Sequence, residues 1–587
     1  MSRSVYFNGE LLTTPGAYSS VDTSLMATKG YNEGAKVIAF IGECTGGEPA
    51  AVQFFTEPTS AKKVLKSGDL LKACEKAWNP VSRTKSGVSL GGANTIACIR
   101  SNKATKATHT VEKDHAAQLK FQSKDWGENT AHQIKVGNGT LSGTKKMVIY
   151  DQSNGTYETI DNIGNVFTIA YKGTQAYAEL NITAEGKDMF LITKVGAAAG
   201  TANEDIKIKL DTNVFKSMKA LILQLQSYEN YVVSATNAYN SHLSVTDLDL
   251  VKGADIKQAT GTNAYRVTAV FEDMKSKLQT NSQLVELVEY DKTKGAVENF
   301  DYVTLTGGTK GVSPASWVEY FDKLSNFDLA YLVPLTEDIS IHAELASHVK
   351  TLSGNLGKER RGIVGGKIGE TVSDTLSRAR DLASDRIQVV HGGFYDYNSS
   401  NELELYPPYL LAAAHAGRVA FLDDGESATH DVYRMSAPEY KLEKNEIDQL
   451  LDGGCLAFEF VLGKSGSSQS YVRLVQDLTT DTTTGNTLYS ERATGALADA
   501  INKEIRTELD ELLTGKRTSI SDLTSAKNKV ISVLDSRKRK GHIIDYKDVY
   551  LTKTGTVTTV DYSVAPAEPN NFTLVTAHYY SETVTAE

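Results

Sequence analysis

The sequence predicts an α/β core that is split by an all-β insertion and followed by an α+β domain with extended terminal arms. Three observations predict this fold class. Continuous apolar runs alternate with helical patterns in residues 21–102 and again in 304–432. Short stretches of alternating polar and apolar residues dominate 103–303. Residues 433–566 carry two amphipathic helical patterns and a hairpin pattern, and apolar residues recur at both ends of the chain.

The first part of the core has the pattern strand, helix, strand. VIAFI (37–41) is an apolar run typical of a strand that is buried on both faces. Residues 60–78 have apolar side chains at helical spacing, and Pro80 lies just beyond them. TIACI (95–99) predicts a second buried strand. We therefore expect the insertion to begin soon after this second strand.

The inserted region is predicted to consist mostly of strands. Its runs alternate between polar and apolar residues, and turn residues such as Ser-Asn-Gly separate them. Two helical stretches, at 214–226 and 271–279, interrupt the pattern. The predicted strands are HQIKV (132–136), KKMVIYD (145–151), VFTIAY (166–171), DMFLITKV (188–195) and DIKIKL (205–210).

The second part of the core resumes the alternation of strands and helices. This alternation predicts a doubly wound sheet. Pro407 and Pro408 lie where a helix is expected to start, and Gly417 lies where it is expected to stop. The predicted strands are DLAYLVPL (328–335), GIVGG (362–366), IQVV (387–390) and VAFLD (419–423).

The carboxyl-terminal section is predicted to be a separate α+β domain. Residues 492–514 and 521–536 have apolar positions at helical spacing, and VTTVDYSV (557–564) is typical of a hairpin. The end of the chain, residues 567–587, alternates in the manner of a strand. An apolar strand at a terminus has free edges, so it favours pairing with another molecule.

The bulk composition excludes several function classes. The 587 residues carry a net charge of −10, which disfavours general binding to nucleic acid. The N-terminus lacks the apolar segment of a signal peptide, and no run of about 18 apolar residues predicts a membrane span. No C-x-x-C pair occurs among Cys44, Cys74, Cys98 and Cys455, so we expect four reduced thiols in a protein made in a cytoplasm.

The motifs that resemble catalytic or nucleotide sites are incomplete. GIVGGKIG (362–369) lacks the G-x-G-x-x-G spacing of a dinucleotide loop, and LGKSGSS (462–468) lacks the first glycine of a P-loop. His342 and His348 are six residues apart, whereas the H-E-x-x-H zinc motif requires four. We therefore expect no catalytic, cofactor-binding or metal-binding residues. An α/β hydrolase or a nucleotide-dependent enzyme is the alternative function.

Two cationic runs have two interpretations each. RKRK (537–540) follows a predicted helix, and KERR (358–361) precedes a predicted strand. A solvated loop is the ordinary interpretation of such a run. A contact with an acidic protein surface is the other interpretation, and it would be sensitive to salt.

Five segments are distinctive when they are considered in their order along the chain. They are PGAYSSVDTS (15–24), KVIAFIGECTGGEP (36–49), GGANTIACIR (91–100), LTGGTKGVSPASWVEYFDKLSNFDLAYLVP (305–334) and YPPYLLAAAHAGRVA (406–420). Together with the carboxyl-terminal section, they resemble the contractile tail sheath proteins of bacteriophages with myovirus tails. DWGENTAHQIKV (125–136) is similar to the segment with which the family's β insertion starts. The size is most similar to sheaths of large phages of Gram-positive hosts, including the staphylococcal group.

The resemblance implies a subtilisin-like fold for the core, without protease activity and without a cofactor. It also implies that an N-terminal arm (1–20) and a C-terminal strand (567–587) leave their own subunit and add strands to neighbouring subunits. The arm residues implied to pack are Val5, Tyr6, Phe7, Leu11, Leu12, Phe572, Leu574, Val575 and Tyr579.

The resemblance further implies a set of partners. The subunits would form a helical homo-oligomer of stacked six-fold rings around a tail tube protein, with baseplate and tail-terminator proteins at the ends. Contraction of the rings would drive the tube through the host envelope, with no direct contact to nucleic acid and no insertion into a membrane. The location implied is the virion tail, after assembly in the host cytoplasm. A sheath subunit of a related contractile injection system is the closest alternative.

The surface that faces the tube is expected in the carboxyl-terminal domain. The two predicted helices at 492–514 and 521–536 would form it, because the cationic run lies beside them. The predicted tube contacts are Arg537, Lys538, Arg539 and Lys540.

Overall fold

Two compact units make up the computed structural model, which describes residues 5–7, 10–12, 36–85, 88–235, 240–257, 264–355, 357–398, 400–463 and 470–581. The larger unit comprises Met1–Cys44, Pro49–Asn102 and Ser313–Glu587. The smaller unit comprises Thr45–Glu48 and Lys103–Val312.

Twelve α-helices lie in the described residues, and no helix among them is long and apolar enough to cross a membrane. The helices are α1 (Pro58–Leu65), α2 (Asp69–Trp78), α3 (Met218–Gln226), α4 (Val270–Asn281), α5 (Val318–Leu324), α6 (Ile339–Asn355), α7 (Val372–Leu382), α8 (Pro408–Phe421), α9 (Lys444–Asp452), α10 (Thr487–Ser490), α11 (Arg492–Leu513) and α12 (Ile520–Arg539). Short 3-10 helices lie at Glu128–Thr130, Ala199–Thr201, Val245–Asp247 and Lys292–Lys294.

The strands fall into three groups along the chain. The first group belongs to the larger unit: β1 (Val5–Phe7), β2 (Glu10–Leu12), β3 (Ile38–Gly42), β4 (Val52–Phe55), β5 (Val81–Arg83) and β6 (Ile96–Arg100). The second belongs to the smaller unit: β7 (Thr108–Lys113), β8 (Ala116–Ser123), β9 (Gln133–Asn138), β10 (Lys145–Asp151), β11 (Thr156–Ile163), β12 (Asn165–Tyr171), β13 (Tyr177–Glu185), β14 (Asp188–Gly196), β15 (Asn203–Lys209), β16 (Tyr231–Ala235), β17 (Val251–Asp255), β18 (Tyr265–Thr268), β19 (Val285–Tyr290) and β20 (Phe300–Thr304). The third belongs to the larger unit: β21 (Tyr331–Pro334), β22 (Arg361–Gly365), β23 (Ile387–Val390), β24 (Phe394–Tyr397), β25 (Leu403–Tyr406), β26 (Val432–Tyr433), β27 (Ala437–Pro438), β28 (Cys455–Leu456), β29 (Phe458–Val461), β30 (Tyr471–Leu474), β31 (Ile543–Thr554) and β32 (Val557–Pro566).

A seven-stranded sheet lies at the centre of the larger unit, in the order β28-β23-β22-β21-β3-β6-β4. Neighbouring strands are parallel except for the edge pair of β4 and β6. Ile38 and Phe40 of β3 pack in one apolar core with α2 and α8, whereas Ala39 and Ile41 pack in a second core with α5, α6 and α7. Both faces of the sheet are therefore covered, as the continuous apolar runs predict.

The helix predicted over 60–78 is in fact two helices. The chain turns between α1 and α2, where Lys66 has a φ of 63° and Gly68 has a φ of 106°. A Cβ atom at Gly68 would lie 2.8 Å from the Cα atom of Cys44. The close approach and the positive φ both require glycine at position 68. The helix is therefore interrupted here, although the apolar spacing in the sequence continues from α1 into α2.

The strand predicted at VAFLD (419–423) is wrong, because α8 continues to Phe421. Gly417 does not end this helix. A Cβ atom at Gly417 would lie 2.1 Å from the carbonyl oxygen of Ala77, so this glycine allows α8 to pack closely against α2. The seven-stranded sheet is completed instead by β28, which follows α9.

The smaller unit contains four antiparallel sheets, in the orders β11-β10-β9-β20, β16-β12-β18, β15-β14-β13-β17 and β19-β8-β7. Two apolar cores fill it, one around Phe121 and Ile149 and the other around Leu180 and Leu221. The helices α3 and α4 lie in the two stretches where the sequence has helical spacing. The unit is therefore mixed rather than all-β.

Candidate assembly site

The carboxyl-terminal part of the larger unit combines two long helices with a two-stranded sheet. Ile501 of α11, Leu534 of α12 and Ile543 of β31 are buried in one shared core. Ser519 begins α12 as its N-cap, and Asp522 completes a capping box with it. The helices observed here match the helical spacing in 492–514 and 521–536.

The sheet of β31 and β32 has two strands, and no other strand of the described chain pairs with it. Side chains of β32 alternate between the two faces, so Val560, Tyr562 and Val564 pack against the core while Asp561 and Ser563 are exposed. Both outer edges of the sheet therefore present backbone N–H and C=O groups to another strand.

An apolar cavity of about 350 Å³ lies between α11 and β32. Leu497 and Ile501 line it from the helix, and Val560, Val564 and Pro566 line it from the strand. Since this cavity lies beside an unpaired strand edge, an added strand could place apolar side chains in it.

The chain leaves this sheet through a short anchored segment. The backbone N–H of Ala567 donates to the carbonyl of His542 at 3.0 Å. Thr487 donates to Glu568 at 2.7 Å, and the side-chain amide of Asn571 donates to Glu491 at 2.8 Å. These contacts fix residues 567–571 to the subunit.

After Asn571 the apolar side chains are exposed. Phe572, Leu574 and Tyr579 are 80%, 94% and 95% exposed, and Val575 is similarly exposed. The structure assigns no strand between 572 and 581, and residues 582–587 lie outside the described part. A strand needs a hydrogen-bonded neighbour, so the predicted terminal strand does not form within the single subunit.

The N-terminal arm is described only in part. β1 pairs with β2 as an antiparallel hairpin, in which Val5 lies opposite Leu12 and Tyr6 lies opposite Leu11. Phe7 lies opposite Glu10 in the same register. The other residues of the predicted arm, 1–20, lie outside the described residues.

The cationic run RKRK forms the last turn of α12 rather than a loop after it. Arg537 is 9% exposed and pairs with Asp424 at 2.6 Å and with Glu504 at 2.7 Å. Lys538, Arg539 and Lys540 are exposed, and Lys538 pairs with Asp545 at 2.8 Å. Arg537 is thus a structural residue, and Arg539 and Lys540 are exposed cations that form no ion pair with the described residues.

The last two residues of the run KERR, Arg360 and Arg361, are buried. They therefore belong neither to a solvated loop nor to a docking surface. Arg360 is buried and donates to the carbonyls of Leu324 and Phe327 at 3.2 and 2.9 Å. Burial lowers its pKa to about 10. Arg361 starts β22 and pairs with Asp499 of α11 at 2.9 Å. These arginines fasten loops and α11 to the sheet.

A buried ion pair joins the start of α11 to the sheet. Arg492 donates to Asp477 at 2.7 and 2.9 Å and to the hydroxyl of Tyr331 at 3.2 Å. Burial alone would raise the pKa of Asp477, but Arg492 and His415 hold that pKa well below its usual range. The pair therefore stays ionised at neutral pH and fixes α11 to β21.

The ends of the parallel strands, where α/β enzymes bind ligands, are filled by the chain itself. The carboxylate of Glu439 accepts from the N–H groups of Gly369 and Gly393, both at 2.7 Å. His391 forms a hydrogen bond with Thr375 at 2.7 Å, and burial lowers the pKa of His391 to about 4. The glycine loop GIVGGKIG is thus closed by a carboxylate.

The histidines and cysteines of the other motifs are buried or half-buried within the fold, and most of the last motif lies outside the described residues. Burial lowers the pKa of His342 to about 3 and that of His348 to about 4, so both rings are neutral. Cys74 and Cys98 are buried thiols with their sulfurs 3.4 Å apart. The described residues contain no group of three or more His, Cys, Asp or Glu side chains that could hold a metal. Most of LGKSGSS falls in residues 464–469, which are not described.

Sequence analysis did not identify the residues that anchor the tail. Glu491 and Asn571 are 80 residues apart, and neither belongs to a recognised motif. The position of Glu491 directly before an amphipathic helix is the one local signal, because acidic residues favour helix N-termini. Its partner could be found only from the folded structure.

Curated tail sheath proteins of three phages match nearly the whole chain. No protein-family model matches the chain. The tail sheath protein of Bacillus phage SP01 is 32% identical over 99% of this chain and 97% of its own length. A putative tail sheath protein of Enterococcus phage phiEF24C is 30% identical over 99% of both chains, and the tail sheath protein of Staphylococcus phage Twort is 28% identical over 97% of this chain and 98% of its own.

A solved structure supports the same fold. The sheath tail protein Lin1278 from Listeria innocua superimposes with a TM-score of 0.52, at 14% sequence identity, over 93% of this chain and 95% of its own. The curated relatives are structural proteins of phage tails and not enzymes. On the identity and coverage of these relatives, the chain belongs to the phage tail sheath protein family and is a structural tail subunit.

Proposed function

We propose that this subunit polymerises around a tail tube as a contractile sheath and that its terminal arms link neighbouring subunits. The observation that carries this proposal is the exposed apolar tail after Asn571, combined with the unpaired edge of β32 in the same subunit. Each copy thus contains an exposed apolar segment and an unpaired strand edge. Exchange of the segments between copies would pair the edges and bury the apolar side chains.

Docking of the arm would replace exposed groups with paired and buried ones. A donated strand would form backbone hydrogen bonds along the edge of β32 and would bury Phe572, Leu574 and Tyr579. The loss of conformational entropy on ordering the arm opposes docking. Repetition through a lattice would link each subunit to several neighbours.

The proposed mechanism is a mechanical one. The core would have the subtilisin-like doubly wound arrangement, and stacked six-fold rings would hold an extended state that is kinetically stable. A signal from the baseplate would release it, and rigid-body rotation of the subunits would shorten the sheath and drive the tube forward. The α11 and α12 helices would face the tube, with a tail-terminator protein closing the far end. Assembly would take place in the host cytoplasm.

The test is assembly of the full chain beside a version that ends at Asn571. This truncation keeps the anchored segment 567–571 and removes the exposed strand. Negative-stain electron microscopy should show striated tubes from the full chain and separate particles from the truncated chain. Leu574→Ser should shorten the tubes, whereas the matched control Thr573→Ser should not. Tubes of equal length from the truncated chain would overturn the linking role of the tail.

A further inference from the structure

Glu491 holds the base of the C-terminal tail with only one of its two carboxylate oxygens. The residue is 4% exposed and lies between α10 and α11. Its Oε1 accepts from Nε2 of Gln476 and from Nδ2 of Asn571, both at 2.8 Å. Within the described residues, neither Oε2 of Glu491 nor Oδ1 of Asn571 has a hydrogen-bond partner, although both atoms are buried.

The two unpaired atoms are both oxygens, and they belong to two side chains that are hydrogen-bonded to each other. Two bare oxygens cannot satisfy each other, and a buried polar atom without a partner costs free energy. A proton on Oε2 changes this, because a carboxylic acid donates one O–H and still accepts through its other oxygen. The acid O–H can then donate to Oδ1 of Asn571 while Nδ2 donates to Oε1, which forms a cyclic acid–amide pair.

Burial of the carboxyl also favours the protonated form. Burial raises the pKa of Glu491, and the anionic Asp477 raises it further. The hydrogen bonds from Gln476 and Asn571 and the cation of Arg492 act in the opposite direction, but the net shift of the pKa is upward. Arg492 is itself occupied by two bonds to Asp477, so it does not pair with Glu491.

We propose that Glu491 holds the base of the C-terminal arm as a neutral carboxylic acid, so that docking of residues 567–571 takes up one proton from solvent. This inference rests on the proposed role of the residues after 571 as a linking arm. The proton goes to Oε2, and no bond between heavy atoms forms or breaks. When the segment undocks, water reaches the carboxyl and the proton returns to solvent.

The sign of the pH dependence follows from this linkage. The pKa of the docked carboxyl is raised above that of the solvated carboxyl, which is about 4.3. Docking is therefore strongest below the solvated pKa and is lost as pH rises through the docked pKa. Between the two pKa values the docking constant falls by up to about tenfold for each pH unit, and above the docked pKa it levels off.

The experiment is hydrogen exchange of the unassembled full-length subunit between pH 4 and 8, corrected for the intrinsic pH dependence of exchange. In the unmodified chain, protection of the Ala567 N–H, which donates to the carbonyl of His542, should fall as pH rises. Glu491→Gln should keep the protection high and make it independent of pH, because its Nε2 can donate to Oδ1 of Asn571. Glu511→Gln, a control on an exposed carboxyl of α11 outside the anchored segment, should keep the pH dependence of the unmodified chain.

Two results would overturn the proposal. One is protection of the Ala567 N–H in the unmodified chain that does not change between pH 4 and 8. The other is protection in Glu491→Gln that falls as pH rises, as in the unmodified chain. Asn571→Ala gives a second measurement, in which protection should be lost at every pH. All readouts come from single subunits, so a failure of sheath assembly would contradict the proposed function and leave this result standing.

Discussion

Asp477 and Arg492 form a doubly hydrogen-bonded ion pair in which neither side chain is exposed by more than 1%. The pair ties the first residue of α11 to the interior of the seven-stranded sheet through the hydroxyl of Tyr331. The helices that are proposed to face the tube are therefore fastened to the core by a contact that is hard to break.

Removing one member of the pair should be strongly destabilising. Asp477→Asn leaves the guanidinium of Arg492 buried without its counter-ion, and such changes cost about 3–5 kcal/mol. Chemical denaturation at pH 7 measures the loss. Lys529→Ala is the control, since Lys529 and Glu508 pair at 3.0 Å with side chains that are 41% and 36% exposed. It should cost about 0–1 kcal/mol. Equal losses in the two variants would contradict a special role for the buried pair.

The stability of the larger unit should fall in acid. Asp499 pairs with Arg361 at 2.9 Å and with Arg386 at 2.8 Å. Burial alone would raise the pKa of Asp499, but the two arginines hold that pKa below its usual value. The stabilisation is therefore fully present above the unfolded pKa of about 4 and is lost as pH falls through the folded pKa.

A pH series of denaturation midpoints for Asp499→Asn tests this assignment. The variant should be less stable than the unmodified chain at pH 7. The gap should narrow as pH falls through the folded pKa of Asp499, because the carboxylate of the unmodified chain then becomes protonated as well. A gap that stays constant from pH 7 to pH 3 would show that the ion pairs do not cause the difference.

The elements of this fold could be predicted where local spacing carries the signal. The apolar run at 37–41 and the helical spacing at 492–514 correspond to β3 and α11. Gly417 led to a wrong prediction, because this glycine allows close contact with Ala77 and does not end the helix. The sequence alone does not distinguish a glycine that ends a helix from one that allows close packing, because the difference depends on the residue it contacts.

The contacts of the candidate site could not be predicted, for a different reason. Arg492 and Tyr331 are 161 residues apart in sequence, and Asn571 reaches Glu491 only after the chain has passed through both long helices. Local periodicity gives no information on such pairs. The RKRK run shows the same limit, since its charge pattern does not reveal that Arg537 is turned toward Asp424.

The close packing of α8 on α2 predicts a sensitive glycine. Gly417→Ala would place a Cβ atom 2.1 Å from the carbonyl oxygen of Ala77, so the two helices would have to separate. Overpacking of this kind costs about 1–3 kcal/mol. Gly354→Ala in α6 is the control, because a Cβ atom there meets open space, and it should stabilise by up to about 1 kcal/mol. A neutral Gly417→Ala in thermal denaturation would contradict the close helix contact.

The last prediction concerns the cations at the end of α12. Arg539 and Lys540 are exposed, whereas Arg537 and Lys538 are paired within the subunit. Reversal of all four charges would also break the buried ion pairs of Arg537, so unfolding could not be told apart from loss of a partner contact. We therefore expect the double change Arg539→Glu and Lys540→Glu to weaken binding to purified tail tube by at least about tenfold, or roughly 1.4 kcal/mol. The effect should shrink at high salt, because exposed charges are screened.

The matched control is Lys62→Glu with Lys63→Glu, which reverses two exposed lysines in the last turn of α1. Both double variants make the same change in net charge and disturb a helix C-terminus in the same way. Co-sedimentation with tubes at low and high salt compares them directly. Loss of binding in the α12 variant alone would place the cationic turn at the tube surface. Equal binding by both variants would remove Arg539 and Lys540 from the contact and leave α11 as the surface to test.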